Sequence, residues 1–166
     1  LAGGVSLRLA AESEAALLGP GRVRLLRGAV YADTGAAAGA PIEVETPAGI
    51  VRDFGTQFEL RLEGTALRVR VREGVVIVER GSERFVADPG EELRIDAAGR
   101  LRRGAVAPDS PDWRWIEALA PPPSIDGRPV TVLLEWVARE TGRTLRYRDD
   151  AARLRAAMRL AGGATG

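Results

Sequence analysis

The sequence predicts a mainly β protein: a twisted sandwich or solenoid-like body followed by a small, incomplete α/β lobe of βαβ type. Three observations predict it. From about Arg22 to about Val106, short stretches alternate apolar and polar residues, the mark of strands with one buried face. Glycines at 55, 64, 74, 81, 90 and 99 punctuate those stretches at the close spacing of an all-β sandwich, barrel or solenoid. Beyond a Pro-rich segment the apolar period lengthens to that of a helix.

Taken in order, Ser6 to Leu18 carries an apolar pattern that reads better as strand than as helix, with Gly19-Pro20-Gly21 as its turn. Arg22-Val23-Arg24 and Arg68-Val69-Arg70-Val71-Arg72 set arginines against valines, as solvated strand faces do. Ala36 to Ala40 is a loop of small residues. Ile42, Val44 and Thr46 share a face by period two, as do Phe58, Leu60 and Leu62, then Leu67, Val69 and Val71, and later Val76 and Val78. These faces should meet in one core. Glu63-Gly64, Glu73-Gly74 and Arg80-Gly81 are expected hairpin or corner points.

Composition changes at Pro108, where Pro108-Asp109-Ser110-Pro111-Asp112 and Pro121-Pro122-Pro123 bracket a Trp-rich piece. The expected organisation is a β domain over 1–107, a linker over 108–123 and the lobe over 124–166. In the lobe, Val130, Leu133, Leu134 and Val137 recur at helical spacing and Thr141-Gly142 supplies the stop, with Pro129 in the first turn. Leu145 and Tyr147 alternate with arginines, so Thr144 to Arg148 reads as a strand after the helix.

The 166 residues contain neither histidine nor cysteine. The usual zinc, copper and haem ligands, thiol nucleophiles and imidazole bases are therefore missing, and no cofactor or metal is expected. Twenty-four basic residues, all arginine, against 23 acidic ones leave a net charge of +1, far from the basic field that nucleic-acid binding needs. No stretch approaches the roughly 20 apolar residues that span a bilayer. A targeting signal or membrane anchor preceding Leu1 stays possible. Asp53, Glu59 and Glu63 would be the carboxylates of a hydrolase, but they alternate with apolar residues as solvent-facing positions do. The reading is therefore not an enzyme. Trp113 and Trp115 flank Arg114; extended, the segment puts both indoles on one side, for packing or for a partner.

Pro41-Ile42-Glu43-Val44-Glu45-Thr46-Pro47-Ala48-Gly49 followed by Val51-Arg52-Asp53-Phe54-Gly55-Thr56-Gln57-Phe58 resembles the FecR family, named for the ferric-citrate regulator. Arg52, Gly55, Thr56 and Phe58 carry the likeness. Val69, Val71, Glu73, Gly74 and Val76, then Ala87, Pro89, Gly90 and Glu91, continue it. The expected roles are structural: Gly55 and Gly74 permit turns, Phe58 anchors the core and Thr56 bonds turn backbone. The segment from Ile125 to Tyr147, with Leu160 to Gly166, is similar to the short βαβ domain of secretins and of TonB-dependent receptors, although the family's second helix after that turn is missing.

The resemblance implies a periplasmic, signal-sensing and protein-binding module of a regulator that controls a sigma factor. Its expected partner is the signalling domain of a TonB-dependent outer-membrane receptor in iron uptake. The cytoplasmic anti-sigma segment and membrane helix typical of that system are not in these 166 residues. The candidate partner-binding residues are Trp113, Trp115, Leu145, Arg146, Tyr147 and Arg148, the last four as an open strand edge with arginines that select an acidic neighbour. The alternative is a stand-alone envelope domain that stacks a carbohydrate or other small ligand on Trp113, Trp115 or Tyr31. The sequence leaves the oligomeric state open.

Overall fold

The structure, a computed structural model, describes residues 5–34, 41–120, 123–124 and 126–158. The chain forms two compact units, residues 1–110 and 111–166.

The first unit contains twelve strands among the described residues: β1 (Ser6–Leu9), β2 (Glu14–Gly19), β3 (Arg22–Arg27), β4 (Ala29–Asp33), β5 (Glu43–Thr46), β6 (Gly49–Asp53), β7 (Gln57–Glu63), β8 (Ala66–Glu73), β9 (Val76–Arg80), β10 (Glu83–Ala87), β11 (Glu91–Ile95) and β12 (Leu101–Ala105). One sheet has the order β1-β4-β7-β8-β11-β12 and the other β10-β9-β6-β5-β3-β2. From β5 onward, hairpins fall alternately into the two sheets, so successive glycine turns do different jobs. Gly64, Gly81 and Gly99 close hairpins within a sheet, while Gly55, Gly74 and Gly90 lie where the chain crosses to the other one. The strand segment before Leu18 splits the same way. β1 joins the first sheet and β2 the second, so the Gly19-Pro20-Gly21 turn links β2 to β3. β3 and β5 are parallel because β4, in the opposite sheet, takes the chain across between them.

The expected faces converge. Val44, Phe58, Leu60, Val69, Val71 and Val78 are each 0 % exposed in one apolar cluster between the sheets. The alternation Arg22-Val23-Arg24 holds, with Val23 buried and both arginines exposed. On β8 it does not: Arg70 and Arg72 are buried, and so are Asp53 and Glu59. Period two shows which residues share a face but not whether that face meets water. Here the outward positions carry charges that satisfy one another. Register sets Arg8, Tyr31, Glu59, Arg70 and Glu92 in one row across five strands of the first sheet. Arg70 bonds Glu92, Glu59 accepts from Arg61 at 2.9 Å and Arg68 at 3.1 Å, and the Arg8 guanidinium lies 5.3 Å from the Tyr31 ring centre. Arg94 also donates to Glu92, at 2.7 Å, and bridges to Glu63. Ala36 to Ala40 lies outside the described residues.

The regular elements of the second unit, among the described residues, are helices. A 3₁₀ turn at Pro111–Trp113 leads into α1 (Arg114–Glu117), followed by α2 (Val130–Thr141) and α3 (Asp150–Ala156). α2 matches the expected helix and ends on Gly142 in the left-handed conformation. Pro129 is extended and stands just before the first helical residue, not inside the first turn. Of the apolar stripe, Val130, Leu133 and Leu134 are half-buried while Val137 is 40 % exposed. Of the expected flanking strands, the one before the helix falls partly on Ile125, outside the described residues, and leaves a single bridge at Pro129; the one after it does not form among the described residues. Asp126-Gly127 makes a turn, and Thr144 to Arg148 is irregular chain, with a bend at Arg148, that pairs with no strand among the described residues. Side-chain alternation is present there, but a strand also needs a second backbone to complete its ladder. α3 follows instead, with Asp149 accepting from the Ala152 amide at 2.7 Å as its N-cap. Leu160 to Gly166 lies outside the described residues. No helix among the described residues is long and apolar enough to cross a membrane.

Candidate functional site

The residues singled out by sequence fall into three separate places. The first is the corner where β6 passes to β7. Here Asp53, wholly buried, accepts hydrogen bonds from the Thr34 hydroxyl, the Ile42 amide, the Gly55 amide at 3.2 Å and the Thr56 hydroxyl at 3.1 Å. The Thr56 amide donates to Thr34 Oγ1 at 2.8 Å, and the Thr34 amide donates to the Thr56 carbonyl at 2.9 Å. One carboxylate thus ties the end of β4, the start of β5 and the β6–β7 corner. The Thr56 hydroxyl thus bonds the Asp53 carboxylate, and its backbone amide and carbonyl bond Thr34. Gly74 completes the corner: its φ is +78°, and a Cβ there would stand 2.5 Å from Thr56 Cγ2 and 2.7 Å from the Gly55 carbonyl oxygen. Phe58, two residues on, is fully buried and pairs in register with Val71, while Glu73 pairs with Gln57. The Gly90 amide donates to the Val71 carbonyl at 2.9 Å, which brings the Pro89-Gly90-Glu91 turn to the same strand. Glu91 accepts from the Asp88 amide at 2.9 Å and from Arg103 at 3.0 Å.

Arg52 stands apart from this corner, on the outward face of the second sheet. It bonds Glu43 at 3.0 Å and also Glu79, and its hydrogen bond to Glu79 raises its already high pKa further. The same face holds Arg22 and Arg24 against Glu45, whose carboxyl is held below its usual range mainly by the Arg24 hydrogen bond. These exposed pairs fix which side chains lie flat on the sheet and stabilise little.

The third place is the second unit. Trp113 is fully buried and Trp115 half-buried, because the segment is helical and not extended. The expectation that both indoles share a side is thereby corrected, since helical residues two apart point in different directions. Tyr31 is also fully buried. Trp113 and Tyr31 therefore present no face on which a sugar could stack. Leu145 and Tyr147 are half-buried, and Arg146 and Arg148 exposed.

What the corner can do chemically is hold backbone in place. No group of three or more His, Cys, Asp or Glu that could hold a metal ion occurs among the described residues. Asp53 was readable from the sequence as a carboxylate but not as a buried one. Thr34 was missed, and its only sequence signal is a hydroxyl at the end of a strand. Glu63, the third carboxylate considered, is an exposed strand end paired with Arg68 at 2.9 Å.

A family model described as "FecR protein" matches residues 1–77. Residues 1–77 of the β unit are thus similar to a FecR domain. Two crystal structures of a candidate anti-sigma factor from Parabacteroides distasonis, at 1.65 and 2.50 Å resolution, share the fold. Each gives a TM-score of 0.56 at 17% identity and covers 84% of this chain, with 68% and 67% of the respective neighbour covered. No curated protein matches the chain.

Proposed function

We propose that this chain is the periplasmic signal-sensing module of a FecR-type regulator of a sigma factor, and that it receives its signal from the signalling domain of an outer-membrane TonB-dependent transporter. The similarity of residues 1–77 to a FecR domain carries the proposal. A binding role is supported by what the family's signature residues do here: Gly55, Thr56, Phe58 and Gly74 are engaged in building the sheet crossing, and none is exposed to act on a substrate as a charged or nucleophilic group.

Within this reading the contact is made by Leu145, Arg146, Tyr147 and Arg148. A segment outside helix and strand, with Leu145 and Tyr147 half-buried and both arginines exposed, can accept a partner strand by backbone pairing, with acidic side chains of that strand meeting the guanidiniums. Trp113 and Trp115 belong to the same unit and shape it from inside and at its edge. The module works in the periplasm, and a membrane-anchored segment would carry its signal to the sigma factor.

Isothermal titration of the chain with purified signalling domains of TonB-dependent transporters from the same organism tests this. Leu145→Pro removes one backbone donor from the segment and should abolish binding while circular dichroism stays unchanged. Arg146→Glu with Arg148→Glu should weaken it, more so at low salt. Undiminished binding by the folded Leu145→Pro variant would remove the segment from the interface. Failure of every signalling domain to bind the unmodified chain would overturn the transporter partner.

A further inference from the structure

Across the outward face of the first sheet, register lines up four arginines in one row: Arg61 on β7, Arg68 on β8, Arg94 on β11 and Arg102 on β12. Like charges directly opposite one another repel, so the row holds only where acids from neighbouring rows intervene. Arg61 and Arg68 share Glu59, Glu63 bridges Arg68 at 2.9 Å and Arg94 at 3.5 Å, and Glu92 takes Arg94 at 2.7 Å. The compensation stops there. Arg102 is exposed and makes no ion pair among the described residues. It stands on an edge strand, so its next neighbour in the row would belong to another chain. The other edges differ: β2 carries two register shifts, β1 has four residues, and on β10 Arg84 already stands opposite Glu79. β12 pairs with β11 over five residues without a shift. Two hydrogen bonds fix which of its backbone groups remain. The Asp96 amide donates to the Arg100 carbonyl at 3.1 Å, and the Val106 amide to the Gly90 carbonyl at 2.8 Å. Bonded pairs alternate along an antiparallel ladder, so Arg102 and Gly104 turn their backbone groups to β11. Leu101, Arg103 and Ala105 turn theirs outward, where no strand pairs with them among the described residues.

We infer that this edge accepts an extended acidic segment of a partner protein, added antiparallel to β12 with a carboxylate opposite Arg102. That pair is of the non-bonded kind, in which opposed residues stand closest, about 4.5 Å between Cα atoms. The carboxylate becomes the next member of the row and gives Arg102 the counter-charge its own chain does not supply. The same charge disfavours a second copy, since β12 carries Arg102 and Arg103 and no acid. On its other face the segment is apolar, because its neighbour there is Leu101, half-buried against the core. The edge belongs to the first unit, and the inference does not depend on the transporter reading.

The probe is a short end-capped peptide, threonine-valine-glutamate-valine-threonine, titrated into the full chain and followed by nuclear magnetic resonance. With the glutamate opposite Arg102, its valines meet the outward backbone groups of Leu101 and Arg103. Saturation should slow amide hydrogen exchange at Leu101 and Arg103 and leave that of Arg102, already bonded to Arg94, unchanged. Exchanging the glutamate for lysine should weaken binding at least about tenfold, and so should Arg102→Glu with the original peptide; combining the two changes should restore it. Arg84→Glu, on β10, should leave binding intact. N-methylation of both valines should abolish it, because the methyl groups remove the donors that pair with β12. No binding at peptide concentrations up to about 1 mM would overturn the inference. So would binding that survives N-methylation, which is ion pairing without an added strand. Folding of Arg102→Glu is not in question at an exposed edge position, and the exchange pattern decides on the unmodified chain in any case.

Discussion

Replacing Asp53 by alanine should cost about as much stability as any single change in the β unit. The carboxylate accepts four hydrogen bonds, from the Thr34 and Thr56 hydroxyls and the Ile42 and Gly55 amides. Alanine leaves these donors without their acceptor in a site sealed from water, since Asp53 and Ile42 are both 0 % exposed. Thr34 keeps an alternative in the Thr56 carbonyl at 3.2 Å, and Gly55 is exposed enough to turn to water. The Ile42 amide and the Thr56 hydroxyl have neither route. Each orphaned donor costs about 1–3 kcal/mol, so Asp53→Ala should destabilise by about 3–5 kcal/mol. Against a typical stability of about 5–15 kcal/mol that is a large fraction. Urea unfolding followed by far-ultraviolet circular dichroism measures it as a lower midpoint at unchanged slope. Asp53→Asn keeps one acceptor oxygen and should fall between the two. A loss below about 0.5 kcal/mol for Asp53→Ala would refute the clamp and assign the tie between β4, β5 and β6 to packing alone.

Gly74→Ala and Gly64→Ala share a positive φ, of +78° and +63°, but only Gly74 has neighbours within reach of a Cβ. The backbone strain of about 1–2 kcal/mol is common to both, so in the same unfolding assay Gly74→Ala should be the worse by at least about 1 kcal/mol. Glu59→Gln removes the charge of a wholly buried carboxylate that faces Arg61 and Arg68, and should cost about 3–5 kcal/mol; a neutral outcome by the same measurement would mean that the arginines reach other acceptors. Acid should destabilise the β unit. Burial pushes the Glu92 carboxyl up, but the hydrogen bonds from Arg94 and Arg70 outweigh it and leave it below the usual range, while the Arg100 amide and guanidinium hold Asp96 low. A carboxylate whose folded pKa is depressed contributes stability above its unfolded pKa and loses it as pH falls through the folded one. The melting temperature should therefore decline below the ordinary carboxylate values near 4.5 and 3.8, and Glu92→Gln should make that decline shallower.

The hairpins and the inner faces were legible because both follow from local rules. A glycine at positive φ closes a turn, and alternation at period two selects the residues that meet in the core. The fate of the outward faces was not legible. Arg68-Val69-Arg70-Val71-Arg72 has the same pattern as Arg22-Val23-Arg24, yet Arg70 and Arg72 are buried and Arg22 and Arg24 exposed. That difference is decided by which strands lie beside them, and Glu59 and Glu92, the neighbours of Arg70 in register, are 11 and 22 residues away from it. Trp113 and Trp115 were misread for a local reason, because extended geometry was assumed for a segment that turns into helix. α3 was missed although its signal was present, with Asp149 as a capping residue and Asp150 in the first turn.

The division between legible and illegible also separates fold from recognition. Several of the residues that carry the family likeness mark the points where the chain changes sheets: Gly55 and Thr56 at one crossing, Gly74 at the next, Gly90 after that. A crossing tolerates few side chains, because it combines positive φ with close backbone approach and buried donors that need acceptors. The fold therefore constrains those positions whatever the partner is. Nothing comparable restrains Arg146 or Arg148, which are exposed. Substitutions there should alter what the module binds without altering whether it folds, and substitutions at Asp53 or Gly74 should do the reverse. Binding and unfolding measured on the same set of variants would show the two groups as separate only if the signature residues build the scaffold and the exposed ones select the partner.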